Sequence, residues 1–416
     1  MRVLFIHQNF PGQFKWLSKA LEWLHHEVSV LVPESNPQKD ATNWHRYSIE
    51  RHNTPNIHPW LIDFETQLAR GQGVFKKLCQ LRDQGYRPDL VIAHPGWGEI
   101  LFLREVWPDV KIGAYAEYFY AHTGRDINFD PEFQNLHADL ACRIKIKNIN
   151  SEMSFKIADA AISPTVFQAN SFPRDIREKI TVCHDGVNTD LIKPQEDGLE
   201  ITLGNKIRLR KSDEIITFVN RNLEPYRGFH VFMRALPELL RRRPNARVLI
   251  IGGSGVSYGA RSADGRSWKE IYVSEVKPRM PAQDWERVHF LGNVDYKAFL
   301  GVIAVSTVHV YLTYPFVLSW SLLESLAMTC AVVASDTEPV QEVVTHGENG
   351  LLVNFFDQAQ LVESIIALLK DKALRNRLGR TGRERIIEEY DLNRVCIPKQ
   401  LKWIDGILNQ SAQIQR

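Results

Sequence analysis

The chain has 416 residues, which is long for one ordinary domain and sufficient for two. Hydrophobic residues make up 44% of it and charged residues 24%, as in a globular protein with enough apolar material for two cores. Its 51 basic and 49 acidic residues leave a formal net charge of +2, so the charge balance gives no reason to expect a nucleic-acid partner.

Cysteine usage and the N-terminus favour a cytoplasmic location. The five cysteines are widely spaced and include no Cys-x-x-Cys pair, so neither a zinc site nor a disulfide framework is indicated. The first apolar run is too short for a signal peptide, and no apolar stretch approaches the roughly 20 residues that cross a bilayer. We expect any membrane contact to be peripheral.

The order of apolar segments predicts two α/β domains. Near-continuous apolar strands alternate with helices, which is typical of parallel sheets covered on both faces. We expect two Rossmann-like, doubly wound domains facing a cleft: residues 1–190, a linker at 191–212, and residues 213–394. A C-terminal helix at about 395–416 can pack back on the first domain. The predicted strands are Val3–Ile6, Val28–Val32, Asp89–Ala93, Val110–Tyr115, Asp159–Ile162, Lys179–Cys183, Ile215–Val219, Val248–Ile251, Val288–Leu291, Val308–Leu312 and Ala331–Ser335.

Other segments carry weaker signals. Trp44–Arg87 predicts helices and loops, and Glu99–Val106 predicts a helix. The segment Ser254–Trp285, rich in glycine, serine and charge, predicts a loop with short helical pieces. Residues 357–413 predict successive helices.

The strongest local signal is Pro315–Glu324, because ligands of open parallel sheets bind beyond the carboxyl ends of the strands. A strand ends near Thr313, and Ser319 is a good N-cap for the next helix, whose first N–H groups and dipole favour a phosphate. Glu324 follows among leucines, where an ionised carboxylate needs donors such as ribose hydroxyls. An ion pair with a nearby arginine is an equally open interpretation.

A second signal is the pair Arg221 and Arg227, which brackets a short loop after the strand Ile215–Val219. Gly228 opens the next helix. Two guanidinium groups at a strand end suit the bidentate hydrogen bonds of a diphosphate. Two solvated surface arginines are the alternative.

The C-terminal half resembles the retaining glycosyltransferases of family four, which have the GT-B fold. The resemblance is firmest from about residue 215 to 353, and weaker matches in the N-terminal half extend it over most of the chain. The matching segments are Arg221, Arg227-Gly228, Gly252-Gly253, Phe290–Gly292, Leu323–Ala327, Val333–Asp336, Glu342–Val344, His346–Val353, and, in the N-terminal half, His7–Phe14, Ser163–Thr165 and Asp185–Thr189.

The resemblance implies a donor site in the C-terminal half. Arg221 and Arg227 would bind the diphosphate of a nucleotide sugar and stabilise its developing charge, and Glu324 would hold the ribose. The other implied donor contacts are Gly12, Gly253, Val294, Ser319, Trp320 and Ser321.

The chain departs from the family pattern at three positions. Phe316 stands eight residues before Glu324, where the family usually has a glutamate that touches the sugar, so the sugar must be recognised differently or not at all. Arg227 replaces a usual lysine, which keeps the charge but not the geometry. Glu117, with His122 five residues on, stands where the family often has a histidine.

Glu117 and His122 are therefore candidates for orienting the reacting hydroxyl. Tyr118 can offer a ring for stacking on a sugar acceptor, and His94 is a further acceptor candidate. Rim or core positions are the alternative for these side chains, because aromatic residues more often pack than bind. The basic run Arg143–Lys147 suits either contact with anionic lipid or a solvated helix face.

Together these features predict transfer of a sugar from a UDP- or GDP-linked donor to a carbohydrate or glycolipid hydroxyl. The resemblance alone implies retention and a role in glycoconjugate or polysaccharide synthesis. No Asp-x-Asp motif follows a suitable strand, so we expect no metal and no cofactor beyond the nucleotide sugar. The alternatives are a non-catalytic GT-B subunit, favoured by Phe316, and a sugar-nucleotide epimerase. A dehydrogenase is disfavoured because no Gly-x-Gly-x-x-Gly follows the first strand.

Overall fold

The computed structural model describes residues 1–38, 43–195, 199–204 and 207–409. The chain forms two compact units, one of Met1–Gly186 with the segment from Leu392 onward, and one of Val187–Asp391. In the described part of the chain, no helix combines the length and apolar character needed to cross a bilayer.

The first unit is built on a parallel sheet. Among the described residues the strand order is β3-β2-β1-β4-β5-β6-β7, so the chain runs outward from β1 and then restarts beside β1 at β4. The order therefore reverses between β1 and β4, and ligands of such sheets bind beyond the strand ends at that switch point. The strands are β1 (Arg2–Ile6), β2 (Glu27–Pro33), β3 (Trp44–Tyr47), β4 (Leu90–Ala93), β5 (Lys111–Tyr115), β6 (Ala160–Ser163) and β7 (Ile180–Val182).

Helices bury both faces of this sheet. Along β1, Leu4 and Ile6 pack into one apolar cluster, while Val3 and Phe5 pack into another. Successive side chains of a strand point to opposite faces, so this division explains why the strand is apolar throughout. The helices are α1 (Lys15–Trp23), α2 (Ile62–Asp83), α3 (Leu103–Val106), α4 (Leu140–Ile157), α5 (Val166–Ala169) and α6 (Arg174–Arg177).

The second unit repeats this architecture. A parallel sheet of described residues has the order β12-β11-β10-β13-β14-β15, which reverses between β10 and β13. The strands are β8 (Glu200–Leu203), β9 (Ile207–Arg210), β10 (Ile215–Asn222), β11 (Arg247–Gly253), β12 (Val288–Gly292), β13 (Val308–Tyr311), β14 (Ala331–Ser335) and β15 (Leu351–Val353). The helices are α7 (Phe229–Arg242), α8 (Trp268–Val276), α9 (Ala282–Trp285), α10 (Tyr296–Val305), α11 (Trp320–Ala327), α12 (Glu338–Gln341), α13 (Gln358–Lys370) and α14 (Lys372–Tyr390).

The C-terminal helix α15 (Ile397–Asn409) belongs to the first unit, after one π-helical turn at Leu392–Cys396. Its Trp403 ring lies so close to Gly113 of β5 that a Cβ there would come within 2.6 Å of it. The predicted helical residues 410–413, and the end of the predicted helix 395–416, lie outside the described residues.

The structure differs from the predicted elements in four places. Residues 191–212 include the antiparallel pair β8-β9, and Leu209 is buried in the core of the second unit. Trp44–Tyr47 is an edge strand that pairs with β2, although its polar side chains gave no strand signal. The helix predicted at Glu99–Val106 begins only at Leu103, after a turn. The three-residue strand β15 was not predicted, because it is too short to show a period.

Candidate functional site

Arg227 lies at the switch point of the second unit. It ends the turn after β10, and its Nη1 donates to Thr313 Oγ1 at 2.7 Å and to the Val317 carbonyl at 2.9 Å, both in the segment after β13. The side chain is only 5% exposed. An arginine carries five N–H donors, so Nε and Nη2 remain to bind a ligand while Nη1 joins the two loops.

The turn that presents Arg227 requires a glycine. Gly228 has φ +66°, and a Cβ on it would lie 2.3 Å from Leu312 Cβ. Only glycine combines that left-handed backbone with so close an approach. Gly228 thus lets α7 start immediately behind Arg227.

The N-terminus of α11 lies beside the same switch point. Ser319 is the residue before the helix, but its side chain makes no capping bond and its Oγ lies 3.1 Å from Ser321 Oγ. The Ser319 N–H donates to the Tyr311 hydroxyl at 2.8 Å, which fixes where the helix begins. The first N–H groups of a helix have no intrahelical acceptor, so Trp320 and Ser321 can offer theirs to an anion.

Glu324 lies one turn further along α11 and is half-buried. Its Oε1 accepts a hydrogen bond of 2.6 Å from the Tyr296 hydroxyl, at the start of α10. Burial, together with the adjacent Glu324 carboxylate, raises the pKa of Tyr296 well above its usual value, so the phenol keeps its proton and remains a donor. One partner of Glu324 in this structure is therefore the Tyr296 hydroxyl.

Three further predicted donor residues surround this edge. Arg221 is exposed near the end of β10, in contrast to the buried Arg227. Gly253 ends β11, where a Cβ would lie 2.7 Å from the side chain of Asn222 and 3.1 Å from that of Asn293. Val294 packs against the core of the unit just after β12.

Glu224 is a buried carboxylate that was not singled out in the sequence. It is 0% exposed and accepts N–H groups of Ser257, Tyr258 and Gly259 at 3.1–3.3 Å. Asn222 supports the same loop, because its Oδ1 accepts from the Gly255 N–H and its Nδ2 donates to Ser257 Oγ. The start of the segment 254–285 is thereby held to the switch point.

That loop places Tyr258 beside Phe316, with ring centroids 5.0 Å apart. The Arg227 guanidinium lies 5.0 Å from the Tyr258 ring centroid and 5.8 Å from that of Phe316. Tyr226 contacts both Tyr314 and Phe316, at 4.7 and 5.5 Å. We call Tyr226, Tyr258, Tyr314 and Phe316 the aromatic cluster.

Two histidines follow β1 and β4 at the switch point of the first unit. His7 Nδ1 accepts from the Asn9 N–H at 2.9 Å, and His94 Nδ1 accepts from the Gly96 N–H at 3.1 Å. In the neutral form each ring therefore carries its proton on Nε2. Burial, reinforced by the neighbouring His94, lowers the pKa of His7 to about 3, so His7 is neutral at physiological pH.

Both Nε2 atoms connect to Glu117, that of His94 directly and that of His7 through Gln13. His94 Nε2 lies 3.5 Å from Glu117 Oε2. His7 Nε2 donates to Gln13 Oε1 at 2.9 Å, and Gln13 Nε2 in turn donates to Glu117 Oε1 at 3.3 Å. The Glu117 side chain is 38% exposed, so it can also meet a ligand. We call His7, Gln13, His94 and Glu117 the carboxylate cluster.

Gly12 belongs to the loop that closes the carboxylate cluster. Its φ is +43°, and a Cβ there would lie 2.5 Å from the His7 ring. Tyr118, by contrast, is buried, and its hydroxyl donates to Asp126, so little of its ring is left for a ligand. His122 is exposed on the loop beyond it.

The basic run lies in α4, as predicted. Arg143, Lys145 and Lys147 are exposed, and Lys147 Nζ lies 3.9 Å from the Tyr120 ring centroid. Arg143 and Lys147 are four residues apart and lie on the same side of the helix, whereas Lys145 lies on the other side.

Sequence reasoning assigned no role to several residues of these clusters. His7 and Gln13 directly follow a strand that lies at a switch point, and strand order would have identified them. Glu224 could have been identified from the sequence, because it is a single carboxylate between the apolar residues Leu223 and Pro225. Tyr296 had none, because only the tertiary fold brings it to Glu324.

The chain is of the class built from two Rossmann-like units, each with polar side chains at its switch point. Two family models identify the family within that class. The model described as Glycosyl transferase family 4 group matches residues 24–192, and that of Glycosyl transferases group 1 matches residues 202–385. The chain belongs to the family-four glycosyltransferases.

Curated relatives match about half of the chain. A D-inositol 3-phosphate glycosyltransferase from Corynebacterium efficiens is 26% identical over 209 residues, which is 50% of this chain and 46% of that protein. A phosphatidyl-myo-inositol mannosyltransferase from Mycobacterium leprae is 30% identical over 213 residues, 50% of this chain and 48% of that protein. The chain thus spans about half the length of the curated relatives it matches.

Solved structures resemble the whole chain. Sucrose-phosphate synthase from Thermosynechococcus elongatus is 19% identical with a TM-score of 0.70, over 100% of this chain and 98% of that one. Anabaena HepE in complex with UDP is 15% identical with a TM-score of 0.65, over 98% of this chain and 100% of that one. At such identities the likeness shows the fold, which is GT-B.

Proposed function

We propose that this protein transfers a sugar from a nucleotide diphosphate sugar to a hydroxyl acceptor, with retention of anomeric configuration and without a metal ion. The observation that carries the proposal is the arrangement at the switch point of the second unit. There a buried arginine, the N-terminus of α11 and the Glu324 carboxylate follow the neighbouring strands β10 and β13. These groups match, in order along the ligand, a diphosphate and a ribose.

In this proposal the second unit supplies charge stabilisation. As the bond between sugar and diphosphate breaks, negative charge grows on the leaving phosphate. Arg227, held in place by Thr313 and Val317, and the first N–H groups of α11 are positioned before the reaction and need no reorganisation during it. Arg221, exposed nearby, adds a second cation.

Glu324 would accept hydrogen bonds from the ribose hydroxyls, since a carboxylate offers several acceptor sites and the Tyr296 hydroxyl donates to one of its oxygens. Gly253 and Val294 would border the base, since Gly253 ends β11 and Val294 follows β12, the two strands on the side of β10 away from β13. The relatives solved with UDP support a nucleoside diphosphate, and a UDP- or GDP-linked sugar remains our proposal.

The first unit would receive the acceptor. Glu117 is partly exposed, accepts a hydrogen bond from Gln13 and lies 3.5 Å from His94 Nε2. Its carboxylate is therefore fixed where it can orient a hydroxyl. The donor phosphate would take the hydroxyl proton. The inositol-directed relatives support a carbohydrate or glycolipid acceptor and a place in glycoconjugate synthesis.

The test is turnover. The protein is incubated with UDP-, GDP-, ADP- and TDP-linked sugars and candidate acceptors, and release of nucleoside diphosphate is followed with and without EDTA. We expect release from one donor class, unaffected by EDTA, and an α-linked product from an α-linked donor by NMR. Acceptor-dependent turnover that stops with EDTA would contradict metal independence, and a β-linked product would contradict retention.

Phe316 favours a second candidate, a non-catalytic subunit that binds nucleotide. This position is 2% exposed and apolar, whereas the family pattern has a carboxylate there. Nucleotide binding without release of nucleoside diphosphate from any donor would support that candidate.

A further inference from the structure

The aromatic cluster lies beside Arg227, which binds the donor diphosphate in the proposed function, so the sugar joined to that diphosphate would lie close to the cluster. Arg227 contacts two of its rings, Tyr258 and Phe316. Phe316 and Tyr314 are 2% and 3% exposed, so they form a floor, whereas Tyr258 is 38% exposed and forms the surface. The exposed Tyr258 ring presents apolar area next to a charged group. Such a surface suits a ligand that has both an apolar face and polar groups.

Tyr258 is also held rigidly. The backbone N–H groups on either side of it, those of Ser257 and Gly259, bind the buried Glu224 carboxylate, as does its own N–H. Three charge-assisted hydrogen bonds to a fully buried acceptor restrict a glycine-rich loop that would otherwise lose much entropy on binding. The ring is thus preorganised over Phe316.

We propose that Tyr258, backed by Phe316, is the stacking platform that recognises the transferred sugar of the donor. The chemical class is a hexopyranosyl group with a face of C–H bonds, which packs on the ring while its hydroxyls face away. The platform takes over sugar recognition that a carboxylate at position 316 would provide by hydrogen bonds. This inference rests on the proposed function and specifies how it selects its donor.

The proposal predicts which part of the donor Tyr258 recognises. Replacing Tyr258 by leucine keeps apolar volume but removes the ring, whereas Tyr258→Phe keeps the ring and removes the hydroxyl. Because the platform contacts the sugar and not the nucleotide, Tyr258→Leu should weaken binding of the nucleotide sugar about five- to tenfold. It should leave binding of the matching nucleoside diphosphate within twofold, and Tyr258→Phe should leave both unchanged.

The experiment is calorimetric titration of the wild type and both variants. The probes are the four nucleotides UDP, GDP, ADP and TDP and five nucleotide sugars with the same bases: UDP-glucose, UDP-galactose, GDP-mannose, ADP-glucose and TDP-glucose. Equal loss for nucleotide and nucleotide sugar would place Tyr258 at the base or diphosphate, and no loss for either would remove it from the site. Both results overturn the proposal while leaving the proposed function intact. A wild type that binds none of the nine probes overturns both.

Glu224→Gln gives an independent readout, because it weakens the anchor of the loop and leaves the Tyr258 ring in the protein. We expect the same selective loss for the nucleotide sugar, of about two- to fivefold. An unchanged sugar-to-nucleotide affinity ratio would show that the position of the loop does not matter and would contradict the platform. Melting temperatures show whether each variant is folded.

Discussion

The two units share a topology but differ in the chemistry at their switch points. In the first, two histidines and a glutamine converge on one partly exposed carboxylate, Glu117. In the second, a buried arginine, a helix N-terminus and aromatic rings lie around the corresponding edge. Strand order therefore decides where a site can form, whereas the few residues after each strand decide what it can bind. We assign orientation of the acceptor to the first site, and binding of the donor with stabilisation of its leaving charge to the second.

The largest expected effect is on turnover. Glu117→Gln keeps the shape of the side chain but removes the charge that orients the acceptor hydroxyl, so we expect kcat to fall about 100-fold. Nucleotide affinity, measured by calorimetry, should stay within twofold because Glu117 belongs to the first unit. A matching fall in nucleotide affinity would contradict the assignment of nucleotide binding to the second unit alone.

Arg227→Ala should reduce nucleotide affinity, which Glu117→Gln leaves unchanged. It removes two charge-assisted hydrogen bonds and the cation expected at the diphosphate, so nucleoside diphosphate affinity should fall about 30- to 100-fold. Arg227→Lys is the matched variant, because it keeps the charge but loses the fork that spans Thr313 and Val317. We expect it to recover part of the affinity through its charge, and unchanged affinity in Arg227→Ala would remove Arg227 from the donor site.

Glu324→Ala should weaken nucleotide binding about tenfold, because it removes the carboxylate expected to accept from ribose. Tyr296→Phe removes only the hydroxyl that donates to Glu324 and should cost at most about threefold. Comparison of ribo- and 2′-deoxyribonucleotides sharpens the assignment, since the glutamate variant should discriminate less between them. Unchanged affinity in Glu324→Ala would remove this residue from the donor site.

The smallest expected effect concerns stability in the first unit. Burial raises the pKa of Glu99, which accepts from the Tyr47 hydroxyl, to about 7 from an ordinary value near 4.5. The folded state then binds its proton more tightly than the unfolded state, so the Glu99 contribution is fully present below about pH 4.5 and is lost as pH rises to about 7.

Glu99→Gln removes that dependence while keeping a hydrogen-bond acceptor for Tyr47. We expect the melting temperature of the variant, relative to the wild type, to rise by a few degrees between pH 5 and pH 8, for an effect of about 1–3 kcal/mol. A constant difference across this range would show that Glu99 does not titrate there. Nucleotide affinity is the control and should not change.

Much of the fold was predictable because buried parallel strands are apolar throughout. Strands such as Val3–Ile6 and Ala331–Ser335 need no partner to be identified, and their alternation with helices predicted two Rossmann-like domains. The assignment to GT-B came from the resemblance to family four. The edge strand Trp44–Tyr47 and the pair β8-β9 were not predicted, since edge and hairpin strands are half-exposed and their polar residues resemble a loop.

The candidate site was predictable only in part. Glu324 could be selected because a carboxylate among leucines requires a partner, and Arg227 because it follows a strand end, where a diphosphate can bind. The burial of Arg227, the Tyr296 partner of Glu324 and the Glu224 anchor depend on contacts between distant segments, which no local pattern specifies. Tyr118 was selected for its ring, but only the fold shows that the ring is covered.

The most direct test of the central claim is titration of the wild-type protein with UDP, GDP, ADP and TDP, with and without magnesium. The account predicts that one nucleoside diphosphate binds in the micromolar range, independently of magnesium, and that Glu324→Ala weakens it while Glu117→Gln does not. Absence of binding by every nucleotide, or equal loss in both variants, would contradict a donor site at the switch point of the second unit.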